Sequence, residues 1–274
     1  MSPKMPGFPK RQFYSFVTTL FYFFTFFRRR EGILVLLYHR VTDQLSPHEL
    51  AIPVAAFRRQ MEYLAKNCDV LSMDDLLQVL SGRDASVTVG SSGRPKVVIT
   101  FDDGYRDNYT NAYPVLKELG LPATIFLITG MIGTDKKRPR YQHMPSPDML
   151  SWSAVKEMAG NGVTFGSHTR NHPHLGVLPA LEQKNEIEQG VAVLGSWLKP
   201  GEAPPIFCYP YGDYNRQTLS ILEGLGIRAA FTVESGINDT KVNPLELRRI
   251  GMDGRDSLFD LRKKLAGACD ILHA

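Results

Sequence analysis

Val97-Val-Ile-Thr-Phe-Asp102-Asp103-Gly104-Tyr105 is an apolar, β-branched run that ends abruptly in two carboxylates and a glycine. Such a run reads as a buried strand of a parallel sheet, and alternation along it sends neighbouring side chains to opposite faces. Both carboxylates can therefore serve one site only where the strand ends and the chain turns, and Gly104 supplies that turn. The pattern repeats on either side. Strands are expected at residues 33–38, 97–101, 123–127, 163–165, 206–209, 229–233 and 247–250, interleaved with helical periodicity at 54–67, 73–81, 109–119, 151–161, 179–198 and 216–225. This alternation, without an internal repeat, predicts an α/β fold with a mostly parallel sheet, and seven strands fit a barrel or an open sheet. Residues 82–94 and 130–147 read as mobile surface loops, and 253–274 as one closing helix.

With 274 residues, 43% of them hydrophobic and 22% charged, the chain has the composition of a globular protein with a sizeable core. Cys68, Cys208 and Cys269 are odd in number and far apart, which supports neither a disulfide framework nor a zinc ribbon. The net charge of +4 is misleading. Residues 1–30 hold six basic side chains and no acid, so the other 244 residues carry 26 basic against 28 acidic groups, net −2. A nucleic-acid-binding surface is therefore disfavoured, and no nucleic acid is expected as a partner.

The basic excess flanks an uncharged aromatic run at 13–27, FYSFVTTLFYFFTFF, followed at once by Arg28, Arg29 and Arg30. Fifteen residues fall short of the roughly 20 that a membrane-crossing helix needs. Three arginines in place of small residues argue against a cleaved export signal. The expectation is a two-part chain: a short apolar and basic arm at 1–31 and a single catalytic domain at 32–274. Residues 13–30 would rest on a membrane surface, on its cytoplasmic face, with rings at headgroup level and cations drawn to anionic lipid. An arm packed on the domain's own surface and an uncleaved anchor are the alternatives.

Chemistry-bearing residues gather at the ends of the expected strands. Phe165-Gly-Ser-His168-Thr-Arg-Asn-His172-Pro-His174 follows one of them, and histidines separated by three residues can converge on one metal from a helical turn. Two imidazoles and a carboxylate leave coordination positions open for water and substrate, so one of the paired aspartates would complete a hydrolytic site. His174 reads as a loop residue or a third imidazole. At 207–212, Tyr209, Pro210, Tyr211 and Gly212 form an aromatic turn able to wall a sugar ring, with backbone N–H groups near a developing oxyanion. Tyr105 is a further candidate for substrate contact. Cys208 reads as a small buried hydrophobe. His39 follows the first strand as Asp102 follows the second and would face the same rim; Arg249 is placed to pair with a carboxylate and keep it ionised.

Taken in order, TFDDGY at 100–105, HTRNH at 168–172 and YPYG at 209–212 resemble the motifs of the polysaccharide deacetylase family with the NodB-homology domain, over roughly residues 33–252. The resemblance implies a distorted (β/α)7-type barrel that hydrolyses the N-acetyl group of amino sugars with one divalent metal, zinc by preference and cobalt, nickel, manganese or iron as alternatives. It implies Asp102 as general base and Asp103, His168 and His172 as metal ligands. Many members open the third motif with an arginine where this chain has Cys208, so Arg249 is the candidate partner for the base. Many also carry an acid histidine near the C-terminus, for which only His273 is available here. LLYHRV at 36–41 instead resembles the poly-N-acetylglucosamine deacetylase branch, whose first strand supplies the acid, and makes His39 the candidate. The expected partner is an N-acetylated glycan. The competing expectations are another N-acyl or N-formyl sugar, lipid-linked to suit the arm, and an inactive carbohydrate-binding barrel.

Overall fold

The computed structural model describes residues 18–19, 32–48, 50–82, 93–145, 148–199 and 203–267. Most of the aromatic arm, most of the 82–94 segment, Cys269 and His273 lie outside them. The elements are β1 (Ile33–Tyr38), β2 (Arg40–Val41), β3 (Ala51–Ile52), α1 (Val54–Asn67), β4 (Asp69–Val70), α2 (Met73–Leu80), β5 (Lys96–Phe101), α3 (Tyr113–Leu119), β6 (Ala123–Leu127) and α4 (Trp152–Ala159). They continue as β7 (Val163–Ser167), α5 (Ala180–Trp197), β8 (Ile206–Cys208), α6 (Arg216–Gly224), β9 (Ala229–Phe231), β10 (Ile250–Gly251) and α7 (Leu258–Leu265).

Every strand pair in the main sheet is parallel, in the order β10-β1-β5-β6-β7-β8-β9, with β4 added beside the start of β5. The sheet curls until its ends meet. Leu247 exchanges backbone hydrogen bonds with β9, while Ile250 pairs with Leu36 of β1, so the 247–252 segment sews the two edges together. Phe126 of β6 and Phe231 of β9 have two strands between them in the sheet, yet their rings lie 5.1 Å from each other. That contact exists only across an enclosed interior, which Ile33, Val35, Val98, Ile206, Cys208 and Leu247 also line. Helix α2 packs on this interior cluster through Met73, Leu76 and Leu77. The alternate residues of β1 and β5, among them Leu34, Leu36, Val97 and Ile99, face outward against Phe57, Met61 and Leu64 of α1.

Helix boundaries follow local chemistry. Ser72 with Asp75, Asn215 with Thr218 and Ser257 with Asp260 form capping boxes at α2, α6 and α7, and Gly120 at φ 64° closes α3. Three expectations need correction. The helix expected over 109–119 opens instead with a widened π turn, Asn108–Ala112, whose Asn108 and Asn111 amides donate to the carbonyls of His39 and Val41. The 130–147 stretch is not a loose surface connection. Its Met131, Ile132, Tyr141 and Met144 are buried in the core, and a short 3-10 turn, Pro139–Tyr141, carries it over the barrel mouth. The closing helix is shorter than expected, ending at Leu265. Among the described residues, no helix is long and apolar enough to cross a membrane.

Candidate metal centre and active site

Because all the strands run the same way, the segments leaving β1, β5, β7, β8 and β9 converge on one rim. Asp102 follows β5, continues its inward-facing set and is buried. Asp103 would face outward by strict alternation, but its φ of 73°, followed by Gly104 at φ 81°, swings it back to the same side. Thr169, His172 and Tyr211 also have φ near +60°. These four are the described non-glycine residues with positive φ, and all stand at this rim. Each such conformation costs roughly 1–2 kcal/mol, which surrounding contacts must offset.

The His168–His172 pair converges for a reason other than the one expected. No helix carries it. His168 continues β7, and the next residues form a turn held by the Thr169 hydroxyl, which accepts from the His172 N–H at 2.8 Å. The left-handed conformations of Thr169 and His172 fold the second imidazole back over the first, with ring centroids 4.6 Å apart. The His168 Nδ1 lies 2.8 Å from the Cys208 carbonyl, which can only accept, so Nδ1 carries the proton and Nε2 keeps a free lone pair.

That lone pair points at Asp103. Its Oδ1 lies 3.6 Å from His168 Nε2 and 3.4 Å from His172 Nε2, and this buried oxygen has no hydrogen-bond partner. Tetrahedral ligands about 2.1 Å from a zinc-sized ion stand roughly 3.4 Å apart, so the spacing and the unpartnered oxygen fit a divalent cation. Burial and the neighbouring His168 hold His172 down to about 3, leaving it neutral and able to donate a lone pair. Burial pushes Asp103 up, but the three imidazoles around it and Arg138 win, and it stays below its ordinary value. Asp102, His168 and Cys208 are also close enough to share an ion. They are poor donors, since Asp102 is committed to an arginine and burial pushes the Cys208 thiol well up, keeping it protonated.

Asp102 is held in a different way. Arg249, wholly buried, donates from Nη1 to Oδ1 and from Nη2 to Oδ2, both at 2.7 Å. Its remaining donors reach the Thr232 carbonyl at 2.8 Å and the Cys208 sulfur at 3.0 Å. The Cys208 thiol in turn donates to Asp102 Oδ2 at 3.4 Å. Burial alone would neutralise Asp102, but the Arg249 fork outweighs it and holds the carboxyl far below its ordinary range, ionised at any working pH. The arginine arrives from the far side of the seam, and the small Cys208 leaves room for it.

His39 is half-buried at the mouth, where the charges of Asp102, Asp103, Arg249 and His168 all act on it. Burial lowers it and outweighs the pull of the two carboxylates. Tyr211 is half exposed and presents a ring edge-on to His172 at 4.4 Å and stacked on His174 at 4.0 Å. Pro210 is buried beneath it, and Gly212, at φ 69°, lies against Val233 where a Cβ would clash. His174 pairs with Asp213 at 3.3 Å, away from the donor set.

Two of the expected substrate contacts are corrected. Tyr209 is fully buried in the outer layer, stacked on Tyr214 and donating to the Leu245 carbonyl at 2.7 Å, because strand alternation turns it away from the mouth. Tyr105 is 1% exposed and lies beneath the guanidinium of Arg40, with no face left for a sugar. Sequence reasoning missed this second ionic cluster altogether. Arg40 donates from Nε to Asp107 at 2.8 Å and from Nη2 to Asp148 at 2.5 Å, while packing over the rings of Tyr105 and Tyr141. Asp107 also accepts from the Val41 N–H at 3.0 Å, which ties the Asp102–Asp107 loop to the strand next to His39. The available signal was an arginine directly after His39 and an acid two residues beyond Tyr105. Arg138 is the other omission; it reaches from the 130–147 stretch to donate to the Tyr211 hydroxyl at 3.1 Å.

A parallel barrel with an ionised, arginine-paired aspartate beside a His-His-Asp donor set defines a hydrolase site. A family model for polysaccharide deacetylase matches residues 90–230. The Bacillus subtilis (strain 168) protein YxkH is 32% identical over 227 residues, covering 80% of this chain and 72% of its own length. Poly-beta-1,6-N-acetyl-D-glucosamine N-deacetylase of Escherichia coli (strain K12) is 26% identical over 246 residues, 75% of this chain. This chain spans only 34% of that larger protein. The Streptococcus pyogenes deacetylase PplD, solved in complex with acetate, superposes with a TM-score of 0.71 at 26% identity over 85% of this chain and 98% of its own. The chain belongs to the polysaccharide deacetylase family, and it is a hydrolase of N-acetyl groups.

Proposed function

We propose that this enzyme deacetylates N-acetylglucosamine residues of a β-linked glycan, with a divalent cation held by Asp103, His168 and His172. The observation that carries the reading is the contrast between neighbours: Asp103 faces two neutral imidazoles with an unpartnered oxygen, while Asp102 faces an arginine. A cation bound by the first set would acidify its coordinated water and polarise the acetamide carbonyl. Asp102, ionised and fixed by Arg249, takes the water proton as the nucleophile attacks. The Tyr211 N–H, presented by the turn's left-handed conformation, donates to the oxygen that gains charge. His39, neutral at rest, takes up the proton that Asp102 removed and passes it to the departing amine, and acetate leaves. Tyr211 offers the exposed ring against which the sugar packs, with Gly212 shaping the turn behind it. The substrate class follows the relatives, among them the E. coli enzyme whose name specifies poly-beta-1,6-N-acetyl-D-glucosamine.

The test is acetate release from a panel of N-acetylated oligosaccharides by metal-reconstituted protein. β-1,6-linked N-acetylglucosamine oligomers should be turned over, and His168→Ala should lose bound metal and activity together. Full activity in the chelated, metal-free protein would overturn the metal assignment.

The arm is proposed to hold the enzyme on the cytoplasmic face of an anionic membrane. Its run of rings and flanking arginines supports this, and Thr18, which is buried and accepts from Lys263 of α7 at 3.2 Å, gives it a fixed point on the barrel. Flotation with phosphatidylserine vesicles should be lost on deleting residues 13–30; unchanged flotation of the deletion variant would reject it.

A further inference from the structure

The mouth of this site is more positive than a neutral amino sugar requires. Residues 135–140, Asp-Lys-Lys-Arg-Pro-Arg, place four cations against one acid in a domain whose overall balance is slightly negative. The stretch is anchored by buried Tyr141 and Met144, so these charges are held in place beside the site. Lys136 and Lys137 turn their ammonium groups to the carbonyls of Gly130 and Met144, and among the described residues no carboxylate pairs with either of them or with Arg138.

Arg138 comes closest to the chemistry. Its Nη2 donates to the Tyr211 hydroxyl at 3.1 Å, and its guanidinium carbon lies 5.7 Å from the centre of that ring. Tyr211 is itself packed edge-on against His172, so a single side chain separates Arg138 from the donor set, and its charge is felt by both Asp103 and His172. Among the described residues, no other side chain takes up the rest of its donor fork. Asp213, which follows the Tyr211 turn, is occupied by His174 and the Gly176 N–H.

The charges at the mouth can be summed. Asp102 and Arg249 cancel. Asp103 alone then faces Arg138 and, when loaded, a dication, leaving a net charge of +2 at a partly dehydrated rim. A planar guanidinium fork with free donors matches an oxyanion bidentately, and the neighbouring lysines extend the attraction outward. N-acetylglucosamine by itself has no group to answer it.

We propose that the preferred substrate carries an oxyanion, a phosphate or a carboxylate, on the acetylated sugar or the residue next to it, and that Arg138 binds that group. The proposal rests on the deacetylase reading and narrows it. The experiment compares three N-acetylglucosamine oligomers with metal-loaded enzyme: neutral, phosphate-bearing and uronate-bearing. At low ionic strength, kcat/KM for at least one charged oligomer should exceed that for the neutral one about tenfold, and the two charged arms show which oxyanion is recognised. That ratio should fall at least fivefold in Arg138→Gln and be largely kept in Arg138→Lys. Salt provides a check on the unaltered protein, since raising it should erode the ratio. A second readout needs no turnover: calorimetric binding of the charged oligomer to metal-loaded Asp102→Asn should weaken when Arg138→Gln is added. Equal kcat/KM for charged and neutral oligomers, with a ratio indifferent to salt and to Arg138, would overturn the inference while leaving the deacetylase intact. Charge-dependent binding lost with Arg138, in an enzyme that releases acetate from none of the three, would instead overturn the deacetylase reading.

Discussion

Arg249 and Arg40 are both buried guanidiniums gripped by carboxylates, and Asp102 beside the first and Asp107 beside the second are shifted in opposite directions. Arg249 meets one aspartate fork to fork and holds Asp102 ionised despite complete burial. Arg40 divides itself between two, and burial, opposed only in part by the shared arginine and reinforced by Asp148, pushes Asp107 up to about 6. The ratio of charges decides the outcome: one cation per anion holds a buried carboxylate ionised, whereas one cation for two anions leaves a carboxylate that titrates near neutrality. The first cluster holds the carboxylate to which the proposed mechanism gives the water proton. The second fixes the loop on which Asp102 and Asp103 stand to the strand beside His39.

The largest effect should come from removing the proposed base. Asp102→Asn should lower kcat by about 10³-fold or more, with metal content by atomic absorption unchanged, since the donor set does not include it. Activity near the parent level would dissolve the distinction between the two aspartates.

Arg249→Met strikes the one-to-one pair and strands a buried carboxylate, for which about 3–5 kcal/mol of stability should be lost in urea unfolding. With burial then unopposed, Asp102 should titrate higher, moving the acid limb of the kcat/KM profile upward in pH. A variant that unfolds with the parent's midpoint and keeps its pH profile would refute the pairing as the source of ionisation.

Arg40→Met should destabilise too, and here the two-to-one ratio makes a separate prediction. Adding Asp107→Asn should restore part of the lost stability, because it removes one of two like charges left facing each other, a repulsion that the single carboxylate of the Arg249 pair does not have. Additive losses in the double variant would show that Asp107 and Asp148 do not interact.

The smallest effect is a pH slope. Asp107 has a raised value in the folded protein, so it contributes stability at low pH, where it is protonated, and that contribution is lost as pH rises through about 6. Asp102, held low, works the other way and loses its contribution only in strong acid. Between about pH 4 and pH 6 the Tm of the parent should therefore drop relative to Asp107→Asn, a difference that differential scanning calorimetry resolves. Parallel Tm curves over that range would contradict the raised value.

Several features were legible before any coordinates. Residues 33–38, 54–67 and 123–127 form the expected elements with the expected bounds, because their apolar periodicity is strong and their ends carry clear turn chemistry. Asp102 with Asp103, and His168 with His172, are near neighbours in the chain, so their residue types and spacing could be read together. Even so, the reason for their convergence was not visible, since a helical turn was expected where left-handed Thr169 and His172 do the work. The aromatic turn shows the same limit from the other side: Tyr209 and Tyr211 look equivalent in sequence, yet one is buried in the outer layer and the other stands at the mouth.

What the sequence determined by itself is local: strands that end in carboxylates and imidazoles, an alternation that demands a parallel sheet, and motifs that share one rim. What only the tertiary structure decided is long-range. Arg249 lies 147 positions from Asp102 and Asp148 lies 108 from Arg40, and closing the barrel is what makes each pair meet. The physical reason is that a strand's hydrophobic pattern specifies which face is buried, whereas a charge's partner is set by which strands become neighbours, and that depends on the whole chain's packing at once.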